Sequence, residues 1–231
     1  MYRLPSHVFA CLTNEAVIFL DLRRNKYVGV RAAVVDAIST LLDPGGSTRH
    51  GFDSVERSNE GIEGLIQNGL LLHSSDAGKA VDPPRLHHAS VPLLPEDMPD
   101  VVTIRAGDVL LFARAVLAAH FQLKTRSLEA VVTAGRRRRT SAAFRDLDVA
   151  RTRALVTAFR RLRPFLFAAR NACLFDSLAL LNFLRLAGIY PHWVFGVRSS
   201  PFAAHCWLQQ GNTVLNDTPQ RVTAYTPIMV V

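Results

Sequence analysis

The stretch that most constrains this chain is "RNACLFDSLALLNFLRLAG", residues 170–188, a long apolar run headed by a cysteine and closed by a glycine. Asn171 is suited to cap a helix two residues ahead of that cysteine. Gly188 is suited to end it in the left-handed conformation. The pattern predicts a buried helix over 172–187 with Cys173 in its first turn. After Gly188 the period changes to that of strands: "YPHWVFGVR" (190–198), "AAHCWLQQ" (203–210) and "NTVLND" (212–217). Any fold of this chain must set a thiol-bearing helix against a sheet that follows it.

Three further helices are predicted upstream, over 107–122, 127–135 and 150–169, the last ended or kinked at Pro164. Residues 102–231 thus form one α+β domain. Residues 1–80 have a different grammar. "HVFACLT" (7–13) and "AVIFLDL" (16–22) read as a hairpin around Asn14-Glu15, and "RNKYVGV" (24–30) as a third strand. A helix over 31–43 stops before Pro44-Gly45-Gly46, and 51–75 holds one or two short helices, with Asn59 as a cap and Ile62, Leu65 and Ile66 on one face. Three strands followed by helices describe an α+β domain of winged-helix size. Between the halves, five prolines fall within 76–101, and residues 81–101 read as an extended linker. His87-His88 lies there without further residues to complete a ligand set, so no metal or cofactor is expected.

Three cysteines, Cys11, Cys173 and Cys206, are too few and too scattered for a disulfide framework or a zinc ribbon, which points to a reducing cytoplasm. No secretory signal is recognisable, and the helix over 108–121 carries Arg114 and His120, so no membrane association is expected. The net charge of +8 is concentrated: residues 124–170 hold 13 Lys/Arg against 3 Asp/Glu, whereas 1–80 hold 8 against 9. The basic run "GRRRR" (135–139) suits a solvated face, an acidic partner or nucleic acid. Nucleic acid is the weaker fit, because the winged-helix-sized half is the near-neutral one.

Cys173 has the address of a nucleophile. In a first helical turn it meets unpaired N–H groups and the positive end of the helix dipole, which favour thiolate. A base is then required. In "AAHCWLQQ" alternation puts His205, Trp207 and Gln209 on one face and Cys206 on the other, so His205 is the candidate base and Cys206 reads as core. His192 is a rival base at the start of the preceding strand. A three-residue loop centred on Gly211 places Asp217 opposite His205, where its carboxylate would hold Nδ1–H and leave Nε2 to the sulfur. A register one residue different would bring Thr218 there instead.

These residues resemble a known family. "CLFDSLALLNFLRLAGIYPHWVFGVRSSPFAAHCWLQQGNTVLND" is similar to the leader-peptidase half of the lasso peptide maturation B proteins, bacterial cysteine proteases with a transglutaminase-like, papain-related core. The matching positions are Cys173, Leu174 and Ser177–Leu180; Gly196, Val197, Pro201, Phe202, Ala204, His205 and Trp207; and Leu215–Asp217. Cys206 stands where the family usually has alanine, and Gln209 where an acidic residue is frequent. The resemblance implies a nucleophile at Cys173, a base at His205 and an orienting carboxylate at Asp217. "YRLPSHVFACLTNEAVIFLDLRRNKYVGV" resembles the precursor-recognition domain of such systems, here fused to the protease. It implies that a leader peptide adds as a strand along Lys26, Tyr27, Val28, Gly29 and Val30, with Leu65 and Ile66 lining a groove. It also implies a ribosomally made precursor as substrate and an ATP-dependent cyclase as partner. An acyltransferase on the same fold and a non-catalytic peptide chaperone are the alternatives.

Overall fold

The computed structural model describes residues 2–31, 55–73, 78–81, 84–95, 103–140, 148–165 and 173–231. Of the predicted helix over 31–43, only Arg31 is described, and it ends a strand; residues 32–43 and the Asn171 cap lie outside the described residues. The fold is mixed α+β, and it divides into two compact units: Met1–Arg85 with Gly196–Ala204 and Thr226–Met229, and Leu86–Phe195 with His205–Tyr225 and Val230–Val231. The second unit as read from the sequence, 102–231, thus differs from the observed grouping at 86–101, 196–204 and 226–229.

In the first unit, β1 (Tyr2–Arg3) pairs with β5 (Leu72–His73). The antiparallel β2 (Val8–Leu12), β3 (Ala16–Asp21) and β4 (Lys26–Arg31) form a separate sheet with β3 in the centre. The two short hairpin turns were legible: Thr13 bridges to Ala16 across Asn14-Glu15, and Asn25 adopts a positive φ of 50° in the second turn, a conformation asparagine tolerates. Helix α1 (Val55–Gln67) starts earlier than predicted, so Asn59 lies inside it and is not its cap. Its Leu65 packs with Val8, Val17 and Phe19 into the unit's core. Gly69, at φ 68°, ends the helix and lets Leu70 return into that core.

In the second unit, α2 (Ala106–Thr125), α3 (Leu128–Thr140), α4 (Val149–Leu162) and α5 (Cys173–Leu186) surround one core. A short 3₁₀ turn, Arg163–Phe165, follows α4 at Pro164, where the rigid ring disfavours the α-helical bond, and residues 166–169 of the predicted helix lie outside the described residues. Helix α2 is long and apolar enough to cross a membrane by length and composition, yet it carries Arg114 and packs Phe112 edge-on to Phe159 of α4. Helix α5 is buried along its length from Ser177 to Leu184, which explains its nearly all-round apolar sequence. Each fully buried leucine or phenylalanine there contributes about 1.5–3 kcal/mol relative to exposure. Gly188 closes it at φ 80°, as predicted.

The sheet that follows has the strand order β10-β7-β8-β9-β6, from β6 (Val91–Pro92), β7 (His192–Arg198), β8 (Ala203–Gln210), β9 (Thr213–Val214) and β10 (Thr226–Val230). Two readings are corrected here. The 81–101 segment is not a free linker throughout: Val91–Pro92 pairs in parallel with Thr213–Val214, and Leu93 is buried. Proline is admissible because β6 is an edge strand. The third predicted strand, 212–217, is a ladder only at Thr213–Val214. Beyond it, Leu215 N–H still donates to Leu208 C=O, but Leu208 N–H donates to the Asn216 side-chain Oδ1 in place of a backbone carbonyl. The chain leaves the sheet at that point and enters α6 (Pro219–Val222), capped by Thr218.

Candidate active site

Cys173 opens α5, and Ser177, one turn on, fixes that end of the helix. Its hydroxyl donates to the Cys173 carbonyl at 2.7 Å and accepts from Trp193 Nε1 at 2.9 Å. The indole ties the helix start to β7, so the motif serine is a structural tie and is itself fully buried. His205 lies on β8, half enclosed by rings: Trp207 stacks at 6.0 Å and Tyr225 tilts against it at 5.3 Å. Asp217 lies in the turn between β9 and α6.

Cys173, His205 and Asp217 line one cleft of about 370 Å³. His205 Nε2 stands 2.5 Å from Asp217 Oδ2, while Asp217 Oδ1 accepts from Thr218 N–H at 2.8 Å. Two details of the predicted geometry are corrected. First, the loop is tighter: Gln209 pairs with Val214 and Gln210 with Thr213. Extended, that register would set Thr218 opposite His205. The departure of the chain at Asn216 turns Asp217 toward His205 instead. Second, the imidazole nitrogens are exchanged. Nε2, the distal nitrogen, meets Asp217, which leaves Nδ1 for the sulfur with which His205 hydrogen-bonds. The Cys206 N–H also favours the charged sulfur.

Cys206 is the third correction. Strand alternation predicts it on the far face, yet its thiol hydrogen-bonds Cys173 and it lines the same cleft. His205 and Cys206 thus both line the cleft, together with Leu215, Asn216 and Asp217, where the chain leaves the ladder after Val214.

The electrostatics follow. Hydrogen bonds from Cys206 and His205 outweigh burial, and with the His205 charge and the Cys206 N–H they lower the Cys173 pKa to about 4. Burial works against a charged His205, but hydrogen bonds with Asp217 and Cys173, and their charges, raise its pKa to about 9. Burial also opposes the Asp217 carboxylate, and the bonds from His205 and Thr218 N–H together with the charges of His205 and Arg221 hold it below its ordinary value. At neutral pH the site is a thiolate–imidazolium pair backed by a carboxylate. Cys11, buried in the first unit, is the contrast: desolvation pushes its thiol up to about 12.

The rest of the cleft was not legible as a site. Arg163 pairs with Asp176 at its rim, and Arg221 stands 3.8 Å from Asp217. Gln209, where the resembled family favours an acid, is fully buried. Its amide donates to the His87 and Gly211 carbonyls and accepts from Trp207 Nε1. It is a structural bridge. His192, the rival base, begins β7 and is not among the residues lining the cleft.

The predicted leader-binding residues lie in the first unit. Lys26, Tyr27, Val28, Gly29 and Val30 form β4, the outer strand of its sheet, and Tyr27 packs 5.8 Å from Phe202. Leu65 is core, and Ile66 and Val30 pack against that core. Leu65 therefore does not line a groove, because its side chain is already covered.

The arginines of 135–139 divide by role. Gly135 packs so closely that an added Cβ would lie 2.8 Å from Val231. Arg136 donates to the Val230 carbonyl. Arg137 and Arg138, with Arg114, Arg185 and Tyr190, line a concavity of about 660 Å³ separate from the Cys173 cleft.

Residues 115–230 match the family model of the transglutaminase-like superfamily, just over half of the chain. The chain is also 42% identical over 50 residues to the Microcin J25-processing protein McjB of Escherichia coli, a stretch that covers 22% of this chain and 24% of that protein. No solved structure matches the chain significantly.

Proposed function

Because the chain belongs to the transglutaminase-like superfamily, we propose that it is a cysteine endopeptidase that removes the leader from a ribosomally made, lasso-type precursor peptide. The observation that carries this reading is the meeting of Cys173, His205 and Asp217 in one cleft, with the imidazole 2.5 Å from the carboxylate and the Cys173 thiol shifted toward thiolate. That is the resting state a peptide-cleaving thiol needs, since the thiolate is the nucleophile and the adjacent imidazolium is the acid for the leaving amine. The similarity to a microcin-processing protein supports the substrate class.

In this mechanism Cys173 attacks the scissile carbonyl at the leader–core junction. The N–H at the start of α5 stabilises the oxyanion. His205 Nδ1–H protonates the departing core amine, while Asp217 keeps the ring oriented through Nε2. His205, now neutral, draws a proton from water, and the resulting hydroxide releases the leader from the sulfur. The leader adds to the edge of β4 by main-chain hydrogen bonds. The freed amine passes to an ATP-dependent cyclase, which the arginine-lined concavity at Arg114, Arg137 and Arg138 suits as an acidic docking partner. These steps take place in the cytoplasm, without a metal or organic cofactor.

The superfamily match also favours a second reading, an acyltransferase in which an amine intercepts the acyl-enzyme. Mass spectrometry of a candidate precursor, incubated with wild-type protein and with Cys173→Ala, tests both. A free leader acid produced only by wild type supports the peptidase. A leader amide supports the acyltransferase. Equal cleavage by both proteins overturns both readings.

A further inference from the structure

Cys206 helps hold Cys173 as thiolate but makes and breaks no bond in the reaction just described. It is 5% exposed, follows His205 directly, and lines the same cleft as Cys173, with which it interacts closely enough for each thiol to shift the other's pKa. A cysteine that only filled the core would not line the cleft beside Cys173. We propose that Cys206 is the resolving thiol of an oxidative modification site, in which peroxide oxidation of Cys173 is captured as a Cys173–Cys206 disulfide. The proposal rests on the reading of Cys173 as the cleft's reactive thiolate.

Geometry and reactivity both order the two sulfurs. Cys173 faces the cleft and is partly exposed, so a small peroxide meets it first. Cys206 is buried behind it. The Cys173 thiolate and burial hold Cys206 well above the ordinary thiol range, so it stays protonated while Cys173 reacts. Sensor cysteines share this pattern, a low-pKa accessible thiolate beside a resolving partner.

The chemistry closes with hydrogen peroxide as the only added reagent. The Cys173 thiolate attacks one peroxide oxygen, an S–O bond forms and the O–O bond breaks. The departing hydroxide takes the His205 proton and leaves as water. Cys173 is then a neutral sulfenic acid, oxidised by two electrons, and no longer accepts the Cys206 hydrogen bond as an anion. The Cys206 sulfur attacks it, the S–S bond forms, and the hydroxyl leaves as a second water with the Cys206 proton, relayed by the now neutral His205. A dithiol reductant restores both thiols by exchange. The enzyme is thereby spared the irreversible sulfinic and sulfonic stages.

The test is intact-mass and peptide-map analysis of the full chain after a small excess of hydrogen peroxide, before and after dithiothreitol. Wild type is expected to lose about 2 Da, as one disulfide requires, with the link mapped to Cys173 and Cys206 and removed by the reductant. Cys206→Ser, which keeps a hydrogen-bond donor, and Cys206→Ala are expected to gain oxygen on Cys173 instead and to keep sulfinic acid after reduction. Oxygen gain on wild-type Cys173 without a Cys173–Cys206 link overturns the proposal, as does identical behaviour of wild type and the variants. The readout is the bond and not cleavage. A protein that forms the link but cuts no precursor loses only the peptidase reading, and one that cuts precursor but never forms the link loses only this inference.

Discussion

His205 Nε2 lies 2.5 Å from Asp217 Oδ2, although the β8–β9 register, extended, sets Thr218 opposite His205. The contact exists because Asn216 takes over the hydrogen bond to Leu208 N–H and swings the chain out of the ladder. The carboxylate is delivered by a strand end, where a one-residue displacement is possible without inverting the whole strand.

Asp217→Asn is expected to lower kcat/KM on a leader–core junction peptide by about 10²–10⁴-fold, because an amide neither stabilises the imidazolium nor fixes its orientation. The same variant should lower the His205 pKa, read from its ring resonances by NMR titration. A His205 titration unchanged from wild type would show that the carboxylate does not set the ring's charge.

The ion pair exists between its two pKa values. Raising the pH through about 4 creates the Cys173 thiolate, and raising it through about 9 deprotonates His205. Activity should therefore form a broad plateau between those limits, falling on the acid side as sulfur is protonated and on the alkaline side as the imidazolium is lost. Cys206→Ala removes the strongest contribution that lowers the Cys173 pKa, so the acid limb should move to higher pH. Rates of Cys173 alkylation against pH measure that limb directly.

Gln209→Glu is expected to destabilise the fold by on the order of 3 kcal/mol at neutral pH, measured by urea unfolding, because a buried carboxylate cannot donate to the two carbonyls that the amide now serves. Retention of wild-type stability would mean that another group satisfies the His87 and Gly211 carbonyls.

Tyr27→Ala and Phe202→Ala should raise KM for a leader-bearing precursor by about 3–10-fold, the worth of an aromatic contact, and leave kcat close to wild type. Both residues stand in the first unit beside the β4 edge. A loss in kcat alone would remove β4 as the leader strand.

Much of this was legible because it depends on local pattern. The α5 run, its Gly188 stop and the alternation of His205, Trp207 and Gln209 follow directly from helix and strand periods. The nearness of Asp217 to His205 was also readable, but the path to it was not. The loop register is set by Gly211 at φ 57° and by a two-residue turn, and the exit from the ladder by the Asn216 side chain. Cys206 was misplaced because alternation assigns strand faces and says nothing of which groups line a cleft at the strand's side. Leu65 has the same apolar signature whether it lines a groove or a core, and only the packing distinguishes the two. The 86–95 segment carries no periodicity, because its strand is two residues long and its burial comes from single side chains such as Leu93.

The most direct test of the central claim is rapid acid quenching of wild-type protein with precursor, followed by intact-protein mass and peptide mapping. The account predicts a transient adduct of leader mass, as a thioester on Cys173, that decays as free leader accumulates. Release of the core by Cys173→Ala at the wild-type rate, with no adduct on wild type, would contradict it.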